Sequence, residues 1–150
     1  MNKWTVVRTQ MDIDTLLQDY GGFHDSCLVG LNYQSGAFVN EEQFMCFGNP
    51  EEKTLHMVFH SQWEKRPLEM CFTGVRCFHI AGWQEHYFND IFDCCLKFCT
   101  DLIPGRDDPL FVWADCAGFS PKTALERPVL NEPMISYVIA SELKWKFLQE

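Results

Sequence analysis

Residues 54–63, TLHMVFHSQW, alternate apolar and polar side chains with a period of two. Leu55, Met57 and Phe59 fall on one side, His56, Val58 and His60 on the other. That is the period of a β-strand, whose successive side chains point to opposite faces. Residues 66–74, RPLEMCFTG, repeat the pattern with Leu68, Met70 and Phe72. Two such runs commit the chain to a sheet with one face in a core.

Other short runs join them. SCLVGLNY (26–33) reads as a strand, with a hairpin turn at Gln34 to Gly36 returning through AFV. EEQFMCF follows, and GNPEEK is a turn. VRCFHIAGW continues after Gly74, which marks an expected bulge that shifts the facing. LFVWADCAGF suits a buried strand, and SPKTALERPVLNEP, with its prolines, a surface loop. In the tail, Ile135, Tyr137 and Ile139 lead to Leu143, Trp145 and Phe147 in one phase, with Ser141 between, which predicts one long final strand.

Two segments read as helix. MDIDTLLQDYGG places Met11, Ile13, Leu16 and Leu17 on a stripe, and Gly21 and Gly22 stop it. In residues 84–103, Tyr87, Ile91, Cys94/Cys95 and Phe98/Leu102 sit at helical spacing, where Asp90 and Asp93 would share a face, while Phe92, Cys94 and Leu96 equally fit the alternation of a strand; helix is the favoured reading of the two. The expectation is a strand-rich α+β fold, a mainly antiparallel sheet with one or two covering helices, in a single domain spanning 1–150.

Eight cysteines are many for 150 residues. None forms a CxxC pair, and only Cys95 and Cys99 approach metal-ligand spacing, so no metal site is expected. Without a recognisable signal peptide, buried free thiols are the expected state. No apolar stretch reaches the roughly 20 residues that span a bilayer. The expected location is therefore the cytoplasm. A net charge of −9 opposes binding to nucleic acid or to an anionic membrane surface and favours basic partners.

Residues 23–27 place Phe23, His24, Asp25, Ser26 and Cys27 side by side. In an extended chain His24 and Cys27 point to opposite faces and form no local nucleophile–base pair. After two glycines, His24 and Asp25 are expected to close a helix-to-strand junction, or else to line a small-molecule or metal pocket. His56 and His60 would lie about 13 Å apart on a strand, too far for one metal. Cys116 beside Asp115, with a remote histidine, allows a cysteine-dependent enzyme, but nucleophile-elbow, phosphate-loop and dinucleotide motifs are missing. No cofactor and no catalytic residue is assigned.

The acidic pairs Glu41–Glu42, Glu51–Glu52 and Asp107–Asp108 border turns, and Trp63 and Trp83 stand among polar residues. Together they are candidate contacts for a basic protein partner. An edge strand at residues 38–47 could also pair two copies into a homodimer.

The GGFHDSCLVGLNY junction, the strand LHMVFHS, the segment LEMCFTGVRCFHI and the closing YVIASELKWKF resemble a loose group of small bacterial proteins. That group carries a Phe-His-Asp near the start, matched by Phe23, His24 and Asp25, and a Phe-x-Gly-Val strand, matched by Phe72, Gly74 and Val75. Several resemble immunity proteins of toxin systems. The resemblance implies a strand-rich fold and a non-catalytic, protein-binding role that neutralises a toxin.

Overall fold

The computed structural model describes residues 3–85, 88–124 and 135–149. Its strands are β1 (Thr5–Val7), β2 (Ser26–Gln34), β3 (Phe38–Val39), β4 (Met45–Cys46), β5 (Thr54–Ser61), β6 (Leu68–His79), β7 (Asp90–Ile91), β8 (Cys95–Cys99), β9 (Leu110–Ala114) and β10 (Tyr137–Phe147). Helix α1 (Gln10–Asp19) follows β1, and α2 (Pro121–Ala124) is one turn. The fold is strand-rich α+β, as the alternation predicts.

Among the described residues, one antiparallel sheet runs β7-β2-β5-β6-β10-β9-β8, and β1 also pairs with β10. β7 and β8 sit at opposite ends of this order, yet only residues 92–94 join them. Four Cα steps span at most roughly 14 Å. The far edges must therefore approach each other, and the sheet curls. Its concave side holds the main core. Leu55, Met57, Phe59, Leu68, Met70 and Phe72 are all fully buried there, on the face their alternation assigns.

Helix α1 contributes Ile13 and Leu16 to that core. Its first turn is closed by a capping box. The Thr9 hydroxyl accepts from the Asp12 amide at 3.2 Å, and the Asp12 carboxylate accepts from the Thr9 amide at 3.0 Å. The chain then turns through Gly21, where φ is +57° and a Cβ would lie 2.4 Å from the Trp63 ring. Only glycine lets that ring pack so close.

Three elements differ from the sequence expectation. The described part of residues 84–103 is not helical. Asp90 lies in β7, Asp93 in the connection to β8, and Cys95–Cys99 form a strand; His86 and Tyr87 lie outside the described residues. The reason is burial on both sides of β8. Leu96 and Phe98 face the main core, while Cys95 and Cys99 face a second cluster with Leu110, Val112, Ala114 and Ile139. Apolar residues on both faces hide the strand period.

β10 is one long strand, but its phase is not kept. Val138 and Ala140 face the main core, and then Leu143 and Trp145 do. Tyr137 and Ile139 face the second cluster instead. The switch occurs where Ser141 meets Gly74 on β6. Gly74 has φ +67°, and a Cβ there would lie 2.8 Å from the Ser141 Cβ. The register shifts alongside, between Ile139 and Ala140. β6 changes phase there too, from Phe72 to Val75, and the extra residue Arg76 returns it to its first phase by Phe78.

The third difference lies after β2. β3 does not return along β2; it pairs with β4 as a separate ribbon, Phe38 opposite Cys46 and Val39 opposite Met45. β2 pairs with β5 instead. Of the expected loop at 120–133, Pro121–Ala124 make the α2 turn and residues 125–133 lie outside the described residues. No helix among the described residues is long and apolar enough to cross a membrane.

Candidate functional site

The β3–β4 ribbon carries Phe38, Val39, Phe44, Met45 and Phe47 on the surface, each 56–69 % exposed. Its turn is fixed from within. The Asn40 side-chain carbonyl accepts from the amides of Glu42 and Phe44, both at 3.0 Å. Its base is fixed by Lys53, whose ammonium donates to the carbonyls of Ser35 at 2.8 Å and Phe47 at 2.5 Å. The two ends of the ribbon are thus clasped where β5 begins.

Four of the acidic candidates gather at this ribbon. Glu41 and Glu42 lie in its turn, and Glu51 and Glu52 in the short 3-10 turn (Pro50–Glu52) that follows β4. Three of them present free charge to solvent. Glu52 has a structural task as well: its carboxylate accepts from the Asn49 amide at 2.9 Å and closes the turn.

Beside the ribbon, β2 leaves backbone unpaired. One edge pairs with β5 along its length, but the other meets β7 only at Ser26 and Cys27. From Leu28 to Gln34 that second edge has no partner strand among the described residues. Its Val29, Leu31 and Tyr33 are 40–49 % exposed. An open edge of this kind is the template on which a partner strand adds.

The remaining candidates are placed elsewhere. Trp63, in the connection just after β5 and about half exposed, ties that connection to the end of α1. Its ring lies over Gly21 and 6.0 Å from the Tyr20 ring, and its indole N–H donates to the His24 carbonyl at 3.1 Å. Trp83 is exposed, in the segment after β6. Asp108 pairs with Arg106 in the loop before β9, and Asp107 is exposed beside it.

His24 and Asp25 form a junction. His24 Nδ1 lies 2.7 Å from the Phe92 carbonyl, and its ring meets the Phe92 ring edge-on at 5.0 Å. The Asp25 amide donates to the Ile91 carbonyl, and the Asp25 carbonyl accepts from Gln62, both at 3.0 Å. His24 Nε2 and Asp25 Oδ2 are 3.3 Å apart and half exposed. Phe23 and Asp25 hold positive φ values of 65° and 58° to make the corner. The pair stitches the end of α1 to β7 and to the β5–β6 connection.

One constellation was not visible from the sequence. Across β5 and β6, Cys71 Sγ lies 3.5 Å from His56 Nε2, and His56 Nδ1 lies 2.9 Å from Glu69 Oε1. Lys146 Nζ is 3.4 Å from the other Glu69 oxygen. The order thiol, imidazole, carboxylate is that of a nucleophile, its base and an orienting acid. Burial, however, pushes the Cys71 thiol up, against the smaller opposing pull of Lys144. A thiol held in its neutral form is a poor nucleophile. The signal that could have found the group is strand register: His56 faces Cys71 directly.

All eight cysteines, each among the described residues, are free thiols. Burial also raises Cys95 and Cys99, and it pushes Cys94 up to about 12. Among the described residues, no three His, Cys, Asp or Glu side chains group to hold a metal ion. Comparison with protein-family models, with curated proteins and with solved structures finds no match to this chain.

Proposed function

We propose that the protein is a non-catalytic, cytoplasmic binding module that docks a basic protein through the β3–β4 ribbon and the open edge of β2. The observation that carries this reading is the ribbon itself: five large apolar side chains outside any core, on a base clasped by Lys53. An apolar centre with a charged rim is the anatomy of a protein interface. Glu41, Glu42 and Glu51 supply a negative rim, on a chain of net charge −9, so the complementary partner is positive. The resemblance of the Phe23–His24–Asp25 junction to immunity-like proteins extends the reading: the partner would be a toxin that this module neutralises.

The raised thiol of Cys71 weighs against a cysteine-dependent enzyme at the Cys71–His56–Glu69 group, and the hydrogen bonds at His24 and Asp25 support reading that pair as a junction. The test is affinity capture on the tagged protein at low and high salt, followed by purification of what is captured and titration against wild type and Glu41→Lys/Glu42→Lys. The reading expects a basic protein, bound more weakly as salt rises and more weakly by the charge-reversed variant. Equal affinity of both forms at all salt concentrations would overturn it. So would self-association into a dimer that buries the ribbon.

A further inference from the structure

Two strands share one edge of β10 and leave a gap between them. β6 takes the other edge along the whole strand. On the shared edge β9 pairs as far as Ala140, opposite Phe111, and β1 begins at Leu143, opposite Val7. A cavity of about 410 Å³ opens at this gap, within the range of roughly 300–1,000 Å³ that small ligands occupy. Val6, Phe98 and Pro109 supply apolar wall, and Arg8, Glu142 and Lys144 supply charge. Val6, Arg8, Pro109 and Glu142 are exposed, and Phe98 and Lys144 are half-buried, so a ligand in the cavity meets all of them.

Strand register sets the order of the charges. Arg8 directly follows Val7, and Glu142 directly precedes its partner Leu143, so the two stand on opposite sides of the gap. Lys144, opposite Val6, is two residues from Glu142 and lies on the same side of β10. Its ammonium is held 4.7 Å from the centre of the Trp4 ring. The backbone of Arg8 is held as well, its amide donating to the Asp12 carboxylate at 2.8 Å. Arg8 and Glu142 thus bring opposite charges to one cavity, yet among the described residues neither forms an ion pair. On a chain with 21 acidic and 12 basic residues, a wall with two cations to one anion also reverses the prevailing charge. A cation and an anion that line one cavity without meeting suit a molecule that carries both charges itself.

From this we infer that the cavity is a binding site for a free α-amino acid with an apolar side chain. The ligand's carboxylate pairs with the Arg8 guanidinium, with Lys144 beside it, and its ammonium pairs with Glu142. Its side chain lies against Val6, Phe98 and Pro109. The site shares no residue with the ribbon or with the β2 edge, so either can fail without the other.

The experiment is a titration of nitrogen-15-labelled protein with L-phenylalanine, read at the backbone amides of Arg8 and of residues 141–144. Two analogues are titrated in parallel: hydrocinnamate, which lacks the ammonium, and phenethylamine, which lacks the carboxylate. The expected result is a saturable shift with phenylalanine and binding about tenfold weaker for each analogue. Glu142→Gln should abolish the preference over hydrocinnamate, and Arg8→Gln the preference over phenethylamine. Both side chains are exposed, so both variants should keep the wild-type denaturation midpoint. No saturable shift up to the solubility limit of phenylalanine would overturn the inference. So would an analogue that binds wild type as tightly as phenylalanine, or preferences that survive in both variants.

Discussion

The concave face of the sheet and the β3–β4 ribbon use the same chemistry to opposite ends. Leu55, Met57 and Phe59 on β5 are fully buried, whereas Phe38, Phe44, Met45 and Phe47 are more than half exposed. Both stretches are apolar and extended. The difference is in what pairs with them. β5 lies between β2 and β6, so one of its faces is forced onto α1 and the far side of the curl. Among the described residues the ribbon pairs only with itself, and its side chains have no facing layer there. Apolar sequence specifies burial only where topology supplies a second layer.

The comparison breaks most visibly under truncation. Phe59 packs at 5.1 Å from Phe23 and 5.3 Å from Trp113, so Phe59→Ala should lose about 3–5 kcal/mol in chemical denaturation. Phe44→Ala, an equal truncation on the ribbon, should stay within about 0.5 kcal/mol of wild type. A second-largest effect is expected at the phase switch. Gly74→Ala forces a side chain into positive φ and against Ser141, and should cost about 1–3 kcal/mol by the same measurement.

Lys53→Met sharpens the contrast from the other side. It removes both donations to the ribbon base, so amide exchange at 38–47 should speed up while the β5–β6 amides keep their protection. Stability should fall by only about 1 kcal/mol. The smallest effect concerns pH. The backbone amides of Arg8 and Thr9 hold the Asp12 carboxyl below its ordinary value. Its contribution is thus present above the unfolded value of about 3.9 and is lost as pH falls through the lower folded value. Asp12→Asn should flatten that acid limb by lowering the denaturation midpoint slightly at neutral pH and leaving it nearly unchanged below the folded value.

The parts of the fold legible in the sequence are those with one buried face. Leu55, Met57 and Phe59, and Leu68, Met70 and Phe72, declare their side by alternation. The glycines after α1 declare its end. Where both faces are buried, the period is lost, and β8 shows this: Leu96 and Cys95 serve two different cores, so its apolar residues fall by chance at helical spacing. The phase change in β10 is illegible for another reason. Ser141 is polar in either phase, and the shift is imposed by Gly74 on a neighbouring strand. At the site, Glu41, Glu42 and Glu51 stand out in sequence as acidic pairs at turns. The ribbon they flank does not, since apolar residues at 38–47 look the same whether they enter a core or leave it. Trp63 combines two features its polar neighbours do not reveal: its ring packs on Gly21 and yet is 48 % exposed.

The central claim is that the ribbon exists for contact and not for stability. The most direct measurement is made on Phe44→Ser/Met45→Ser, comparing its denaturation midpoint and its affinity for the captured basic partner with those of wild type. The account expects an unchanged midpoint and an affinity reduced by at least about tenfold, the loss of one or more interface anchors. A midpoint that drops sharply, or an affinity that does not change, would contradict it.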